Sequence, residues 1–353
     1  MLQESISTAR IMLTRLSMLG ASGIGTAACI AAACFGLSGP ASARQTITTF
    51  DPPGSTSTMT WGINHDGAIT GYYVDGNHAQ HSFVRAPDGT ITSFDPSGAK
   101  NTYAQSINNA GAIAGYYEDS NFVQHGFVRS PDGTITTFDP SGSIGTNALS
   151  VNSAGAIVGF YYDSNGLTHG FVRSSKGKIT SFDAPGSVLT FATSIGGKGQ
   201  ITGSYYDNVE FNQHGYVRAP DGTFETFDPP NATNTMPYSI DSLGSTSGTF
   251  YDTNRAPHGF VRTPDGTITV VDPSGSQGTI GYTINNKGST VGYYFYVSDQ
   301  VHGFVRGADG TIKTFNVSGA IDTVPTANNN KGAITGYYYD SQSVGHGFLR
   351  TRQ

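Results

Sequence analysis

The most constraining feature of the sequence is a motif that recurs at an almost constant interval. Residues 125–143 read HGFVRSPDGTITTFDPSGS, and close variants of this segment recur throughout residues 46–353. The histidine of the motif stands at His81, His125, His169, His214, His258, His302 and His346, at intervals of 44, 44, 45, 44, 44 and 44 residues. A fixed period of this length is the signature of a repeat architecture. We therefore expect one repeated unit without a linker or second domain.

Each repeat contains four short segments with the composition of β-strands. In the second copy they are residues 102–108, 112–119, 124–129 and 134–139, and turns such as S-P-D-G separate them. Tyr, Phe, Val, Ile and Thr fit a pleated, packed surface, whereas Pro and Gly favour chain reversal. Four strands in 40–45 residues, repeated several times, predict the blades of a β-propeller.

The two ends of the repeated region are incomplete in a complementary way. The seventh copy ends with H-G-F-L-R at residues 346–350 and lacks a fourth strand. An isolated fourth strand, T-I-T-T-F-D at residues 46–51, precedes the first copy. Pairing of the two segments would remove an exposed strand edge from each. We therefore predict an all-β fold, a seven-bladed β-propeller of four-stranded blades, in which the N-terminal strand completes the last blade and closes the ring.

The first 43 residues differ in composition from the repeats. Two arginines precede a stretch of apolar and small residues, and the A-S-A sequence at residues 41–43 matches a cleavage pattern. This layout predicts a signal peptide at residues 1–43, cleavage after Ala43 and a secreted or periplasmic protein. A retained membrane anchor or a lipoprotein is a lesser alternative. Residues 44–353 would then form a single propeller domain without cysteine and without disulfides.

Composition restricts the partners that the protein can have. The formal net charge is −6, charged residues make up 12% of the chain, and no run of Lys or Arg is present. Nucleic-acid binding is therefore not expected, because phosphates require clustered positive charge. The motifs G-x-S-x-G and H-E-x-x-H and a phosphate-binding loop are absent from the sequence. We expect no cofactor, no membrane association after signal cleavage, a monomer, and a protein or glycan as the partner.

An aspartate follows the motif histidine by 14 residues in the first five copies. The pairs are His81 and Asp95, His125 and Asp139, His169 and Asp183, His214 and Asp228, and His258 and Asp272. Asn316 replaces the acid opposite His302, and Asp51 is available to His346. A feature of every repeat is typical of a structural role, because catalysis requires one site with a nucleophile. We interpret these pairs as hydrogen bonds between the third and fourth strands.

Four loops between the second and third strands carry a D-x-N sequence that begins at Asp75, Asp119, Asp163 and Asp252. Alternating oxygen-bearing side chains can bind Ca²⁺. The loops are short and lack a bidentate glutamate, and Asp and Asn also form turns without a metal. Equivalent histidines on separate blades would not converge on one ion. We therefore predict no metal site and keep Ca²⁺ as an alternative.

A single binding site must use positions that vary between the repeats, and two such columns occur in the first strand. The candidate ligand-binding residues from these columns are Trp61, Tyr103, Gln105, Phe191, Tyr238 and Tyr282. Aromatic side chains there can stack on a sugar ring or hold a peptide, although packing between blades is the alternative. Because residues two apart share a strand face, we expect both columns to share a face with the Ile63 column.

The order I-N-x-x-G, G-Y-Y and H-G-F-V-R resembles the HAF-type extracellular repeat family of exported bacterial proteins. That family is named for a His-Ala-Phe core. Here Gly replaces Ala in six copies and Ser82 replaces it in one, while Val-Arg or Leu-Arg replaces the usual Trp after the Phe. The resemblance covers residues 46–353. It implies an exported β-propeller-like protein of unassigned function and carries no catalytic residues.

The sequence therefore predicts a non-catalytic binding scaffold for a protein or glycan. The alternative is a hydrolase or lyase that acts on cell-surface polysaccharide at the central channel. Glycosidase chemistry uses paired carboxylates, and the first strands carry almost none.

Overall fold

A computed structural model describes residues 45–296 and 300–352 of this protein. These residues form β-strands joined by turns and contain no helix. Within this part of the chain, no helix is therefore available to span a bilayer. The predicted signal peptide, residues 1–43, lies outside the described residues.

The strands are short and follow the four-strand pattern of the sequence repeat. The first half contains β1 (Gln45–Phe50), β2 (Ser57–Ile63), β3 (Ile69–Val74), β4 (Gln80–Arg85), β5 (Ile91–Phe94), β6 (Asn101–Ile107), β7 (Ile113–Glu118), β8 (Gln124–Arg129), β9 (Ile135–Phe138), β10 (Gly145–Val151), β11 (Ile157–Tyr162), β12 (Thr168–Arg173), β13 (Ile179–Phe182) and β14 (Ser187–Ile195). The second half contains β15 (Ile201–Asp207), β16 (Gln213–Arg218), β17 (Phe224–Phe227), β18 (Asn234–Ile240), β19 (Thr246–Tyr251), β20 (Pro257–Arg262), β21 (Ile268–Val271), β22 (Gly278–Ile284), β23 (Thr290–Phe295), β24 (Val301–Arg306), β25 (Ile312–Phe315), β26 (Asp322–Asn328), β27 (Ile334–Tyr339) and β28 (Gly345–Arg352).

Consecutive strands within each repeat pair antiparallel and form a four-stranded blade. Repeats 1 to 6 are β2–β5, β6–β9, β10–β13, β14–β17, β18–β21 and β22–β25, and repeat 7 begins with β26–β28. Five sheets have four strands and one has eight. The eight-stranded sheet combines repeats 4 and 5, which are joined by one parallel pairing between Gln213 and Asn234.

The N-terminal strand lies beside the last strand of the chain. β1 pairs antiparallel with β28, from Gln45 opposite Arg352 to Phe50 opposite Gly347. It thereby supplies the fourth strand of repeat 7, as the complementary chain ends predict. Hydrogen bonding of this kind satisfies the backbone groups that each segment would otherwise leave on an open edge.

The hydrophobic core lies between neighbouring repeats. Phe138 at the end of repeat 2 packs edge-to-face against Phe171 of repeat 3, with the ring centroids 6.0 Å apart. The guanidinium carbon of Arg173 lies 4.8 Å from the centre of the Phe138 ring, within the range of a cation–π contact. The equivalent Arg and Phe pairs are Arg85 and Phe50, Arg129 and Phe94, Arg218 and Phe182, Arg262 and Phe227, and Arg350 and Phe315. Val271 replaces the phenylalanine at the end of repeat 5.

A belt of asparagines joins the turns between the first and second strands. Asn108 Oδ1 accepts hydrogen bonds from the backbone N–H groups of Ala110 and Ala112, which shape its own turn. Its Nδ2 donates to the backbone carbonyl of Asn152 in the next repeat, at 3.0 Å. The other donations in this asparagine belt run from Asn64 to Asn108, from Asn152 to Gly196, from Asn285 to Asn329 and from Asn329 to Asn64.

The asparagine belt is interrupted in repeats 4 and 5. Gly196 has no side chain to donate, and Asp241 offers a carboxylate in place of the carboxamide. Asp241 still shapes its turn, because its Oδ1 accepts hydrogen bonds from Leu243 and Ser245. It therefore keeps the local function of the asparagine and loses the contact with the next repeat.

Candidate functional site

The first strand of every repeat contains a β-bulge at the same position. In β2, pairing with β3 shifts between Thr60 and Gly62, so that Trp61 is unpaired. The corresponding residues are Trp61, Gln105, Leu149, Thr193, Tyr238, Tyr282 and Thr326. First strands of successive repeats contact one another, and β26 contacts β2. The bulge series is therefore one of the two variable columns that the sequence identifies.

The predicted relation between the variable columns and the isoleucine column is wrong. Thr60 pairs with Gly71 and Ile63 pairs with Ile69, so Ile63 shares a face with Thr60. The extra residue of the bulge reverses the alternation of side chains beyond it, as any one-residue shift of register does. The prediction assumes strict alternation of side chains along the strand, which does not hold across a bulge.

The glycine of the G-Y-Y motif lies opposite the bulge and makes it possible. A Cβ atom on Gly115 would lie 2.2 Å from the carbonyl oxygen of Tyr103 and 2.9 Å from Cα of Ala104. Both atoms belong to the backbone of the bulged strand, so a side-chain movement cannot relieve the clash. This glycine, which Tyr-Tyr follows in repeats 1, 2, 6 and 7, is therefore the sequence signal for the bulge.

Three of the predicted ligand-binding residues meet in one group, which we call the bulge aromatic cluster: Trp61, Tyr238 and Tyr282. The rings of Tyr238 and Tyr282 are stacked at 5.6 Å, and Trp61 of repeat 1 lies 6.1 Å from Tyr282 of repeat 6. All three side chains are half-buried. Trp61 Nε1 is buried and donates no hydrogen bond to the described residues. Such an unsatisfied donor is costly, by about 1–3 kcal/mol.

Burial keeps the phenols of this region neutral. It raises the pKa of Tyr282 to about 12. The pKa of Tyr293 and that of Tyr337 lie well above the ordinary range, because burial disfavours the phenolate and Tyr282 is close to both. These side chains therefore offer aromatic surface and neutral hydroxyl groups to a ligand.

The other three candidate residues lie elsewhere. Tyr103 stacks on Tyr116 at 4.8 Å, and its hydroxyl donates to Gln80 Oε1 of repeat 1 at 3.3 Å. Phe191 packs edge-to-face against Phe160 of repeat 3 at 5.0 Å. Both aromatic residues thus fill space between repeats.

Gln105 belongs to the bulge series in repeat 2. Its side chain is half-buried and makes no hydrogen bond to the described residues. It is therefore the polar member of the series whose amide is available to a ligand.

The histidines of the repeated motif contact the aspartates at the predicted spacing. The Nδ1 to Oδ distances are 2.6–2.9 Å for the pairs in repeats 1 to 5 and 2.7 Å for His346 and Asp51. His302 Nδ1 contacts the side-chain amide of Asn316. The pairs thus join third and fourth strands, including the pair formed by the two chain ends.

A second aspartate faces the other nitrogen of the ring in most repeats. In repeat 1, His81 Nε2 lies 3.6 Å from Asp75 Oδ2, and Tyr73 packs on the ring at 5.3 Å. Partial burial opposes protonation of His81, but the hydrogen bonds and charges of Asp95 and Asp75 outweigh it and raise the pKa of His81 above 6.5. The same balance raises the pKa of His214 and of His346.

The D-x-N loops use their aspartate oxygens within the turn. Asp75 Oδ1 accepts hydrogen bonds from the backbone N–H groups of Asn77 and Ala79, and these bonds lower the pKa of Asp75. Asp119, Asp163 and Asp252 make the same contacts in their loops. In residues 45–296 and 300–352 no group of three or more His, Cys, Asp or Glu is arranged to hold a metal ion.

A concave site that the sequence did not indicate lies among the turns of the asparagine belt. We call this site the amide pocket; its volume is about 150 Å³. It is lined by Ile63, His65, Asn109, Asn285, Asn286, Asn328, Asn329 and Asn330. These residues come from repeats 1, 2, 6 and 7. The sequence feature that corresponds to this pocket is the repeated asparagine of the I-N-x-x-G turn. From the sequence alone, this asparagine is interpreted only as a turn residue.

Comparison with known proteins defines the class of fold. No protein family matches the chain, and no curated protein matches its sequence. The resemblance to the HAF-type repeat therefore stays a prediction.

Several solved structures are similar. A puromycin hydrolase S511A mutant complexed with PGG has a TM-score of 0.61 and 10% identity over 85% of this chain. The match covers 54% of that hydrolase, so this chain spans about half its length.

Two further structures match over most of both chains. The β-propeller domain of the Trilobed protease from Pyrococcus furiosus has a TM-score of 0.59 and 9% identity, and the match covers 83% of this chain and 95% of that domain. The BP39L lectin from Burkholderia pseudomallei has a TM-score of 0.51 and 11% identity, with coverage of 87% and 95%. Together with the four-stranded antiparallel blades, these similarities define the fold as a β-propeller.

Proposed function

We propose that this protein is an exported, non-catalytic binding scaffold built on a closed seven-bladed propeller. Division of the eight-stranded sheet at its single parallel bridge gives seven four-stranded units. Repeat 7 meets repeat 1 through the contacts that join other neighbours. Asn329 Nδ2 donates to the carbonyl of Asn64 at 2.9 Å, and Phe50 packs against Phe83. These contacts support closure of the ring.

The bulge aromatic cluster is the observation that carries the proposed binding role. Its residues occupy an unpaired position of the strand, so that their identity can vary without loss of backbone pairing. They bring three rings from repeats 1, 5 and 6 into contact while each stays partly exposed. Aromatic rings combined with a few polar groups are typical of small-ligand sites. A glycan, whose sugar rings have an apolar face, fits this surface best.

The residues near the cluster support binding rather than turnover. Paired carboxylates are needed for glycoside hydrolysis. Among the described first strands the sole acidic residue is Asp322, at the start of β26. The histidine and aspartate pairs recur around the molecule and lie outside the cluster. We therefore assign them a structural role.

The chain contains a single tryptophan, Trp61, so its fluorescence reports directly on the cluster. A glycan-array screen of the purified protein would supply ligands, and titration of Trp61 emission would measure their affinity. We expect saturable quenching by at least one glycan. Substitution Tyr282→Ala should weaken binding by about tenfold or more, since loss of a buried aromatic contact costs at least about 1.4 kcal/mol.

Tyr103→Ala is the matched control, because it removes a tyrosine that lies between repeats 1 and 2 and outside the cluster. It should leave the affinity unchanged while the protein stays folded by circular dichroism. If the protein binds only protein partners and no glycan, the glycan assignment is wrong and the cluster is a site for peptide recognition. Turnover of any polysaccharide in a parallel glycosidase and lyase assay would overturn the non-catalytic assignment.

A further inference from the structure

We propose that the amide pocket is a second binding site, specific for an oxyanion such as a carboxylate or phosphate group. It is formed by the last residues of two first strands and by the turns that follow first strands, whereas the bulge aromatic cluster lies further back within the strands. It requires no contact with that cluster. The proposal therefore stands independently of the function proposed above.

Hydrogen bonds within the turns decide which groups the pocket presents. Asn109 Oδ1 accepts a hydrogen bond from the backbone N–H of His65, and Asn286 Oδ1 accepts one from that of Ser242. Because a backbone N–H can only donate, these contacts orient both carboxamides with the oxygen bound and the nitrogen free. Neither Nδ2 makes a hydrogen bond to the described residues. The free groups of Asn109 and Asn286 are therefore donors.

In the two belt asparagines of the pocket, the side-chain oxygen is likewise bound by backbone N–H groups. Asn285 Oδ1 and Asn329 Oδ1 are both occupied by backbone N–H groups of their own turns. Asn285 Nδ2 donates one hydrogen bond to the carbonyl of Asn329 and keeps a second hydrogen, whereas Asn329 Nδ2 donates to the carbonyls of both Asn64 and His65. The oxygens of Asn109, Asn285, Asn286 and Asn329 are thus occupied, and Asn330 Oδ1 is the unpaired side-chain amide oxygen of the pocket. Free amide hydrogens remain on Asn109, Asn285 and Asn286, and they favour a ligand that only accepts, such as an oxyanion.

Two lysines stand next to pocket residues in the sequence, and one of them has no carboxylate partner among the described residues. Lys287 and Lys331 directly follow the pocket residues Asn286 and Asn330, and both are exposed. Lys331 Nζ lies 3.2 Å from Asp66 Oδ1, whereas Lys287 has no ion pair among the described residues. In a chain of net charge −6, Lys287 is therefore an unpaired positive charge directly after a pocket residue in the sequence. Exposed lysines attract anions over several ångströms at moderate salt.

Asn330 provides the most informative variant. Its Oδ1 is buried without a partner, and its amide makes no hydrogen bond to the described residues. Replacement of Asn330 therefore removes no bond that holds the fold. Asn330→Asp places a negative charge in the pocket and should repel an oxyanion. Ser153→Asp introduces the same charge at the equivalent turn position of repeat 3, outside the pocket, and serves as the matched control.

Thermal unfolding of the purified full chain would test the proposal with inorganic phosphate, D-glucuronate, D-glucose and sodium chloride at matched ionic strength. We expect phosphate or glucuronate to raise the unfolding midpoint in a saturable way. The apparent affinity should fall by about tenfold or more in Asn330→Asp and stay unchanged in Ser153→Asp. A preference for phosphate indicates a free or esterified phosphate, and a preference for glucuronate indicates an acidic sugar. The proposal is overturned if glucose or chloride has the same effect, if no anion shifts the midpoint, or if Asn330→Asp retains the shift.

Discussion

Two positions only three residues apart, one in the first strand and one in the turn that follows it, behave in opposite ways around the molecule. The bulge position of Trp61 holds Trp, Gln, Leu, Thr, Tyr, Tyr and Thr in successive repeats, whereas the position of Asn64 holds Asn in five and changes only at Gly196 and Asp241. The asparagine shapes its own turn and bonds to the next repeat. The bulge residue has no backbone partner in the neighbouring strand. The residue type is thus kept in most repeats where its side chain completes backbone hydrogen bonds. It varies where the residue has no pairing partner, and such a position can take on the side chains of a binding site.

The bulge depends on a glycine in the neighbouring strand. Addition of one methyl group to that glycine should therefore disrupt the bulge. Gly115→Ala should destabilise the protein by about 3 kcal/mol, because the added Cβ meets backbone atoms that have no room to move. Urea denaturation would measure the loss. Gly76→Ala is the control, since no atom lies within 4 Å of the position that its added methyl group would occupy, and it should change stability by less than about 0.5 kcal/mol. Equal stability of both variants would contradict the role of the glycine.

The asparagine belt can be broken without disturbing its turns. Asn108→Asp keeps the oxygen that accepts from Ala110 and Ala112, but it replaces the donor to the Asn152 carbonyl with an acceptor. We expect a loss of about 1–3 kcal/mol in the free energy of unfolding, since the Asn152 carbonyl loses this donor, keeps only the hydrogen bond from the Gly155 N–H and faces a buried acceptor instead. The same change at the exposed neighbour Asn109, whose Nδ2 has no partner within the described residues, should have little effect. If Asn109→Asp lowers the free energy of unfolding more than Asn108→Asp does, the hydrogen bond between repeats is not the cause of the loss.

The interruption of the belt can be repaired by the reverse substitution. Asp241→Asn should stabilise the protein by about 0.5–1.5 kcal/mol, because it restores a donor toward repeat 6 and preserves the bonds from Leu243 and Ser245. Chemical denaturation of the variant beside the parent protein would measure the gain. Asp66→Asn, in the equivalent turn of repeat 1 but outside the belt, should change stability by only a few tenths of a kcal/mol. A destabilised Asp241→Asn would show that the carboxylate has another role.

The histidine and aspartate pairs should make the stability of the protein depend on pH, and we expect this effect to be smaller than those above. The pKa values of His81, His214 and His346 are higher in the folded protein than their ordinary value of 6.5. The folded state therefore binds more protons, and the stability that these groups contribute is present below about pH 6.5 and is lost as the pH rises through the folded-state pKa. The urea midpoint should fall between about pH 6 and pH 8. His81→Asn should reduce this fall; a midpoint that rises over this range would contradict the assignment.

The repeat, its four strands and the pairing of β1 with β28 could be predicted because they depend on local patterns. Strand composition, turn residues and the 14-residue spacing of His81 and Asp95 are all contained within one repeat. The complementary chain ends needed only the additional rule that strand edges must be paired. By itself, then, the sequence determined the class of fold and the hairpin contacts.

Tertiary structure decided which side chains meet between repeats. Trp61 and Tyr282 come from repeats 1 and 6, and no spacing within a repeat relates them. The bulge also displaced Ile63 to the other strand face, an effect that counting alternate residues cannot reveal. The amide pocket arises because turns from repeats 7 and 1 lie side by side, although they are far apart in the chain. Contacts between distant repeats depend on how whole sheets pack, and that arrangement is a property of the assembled propeller.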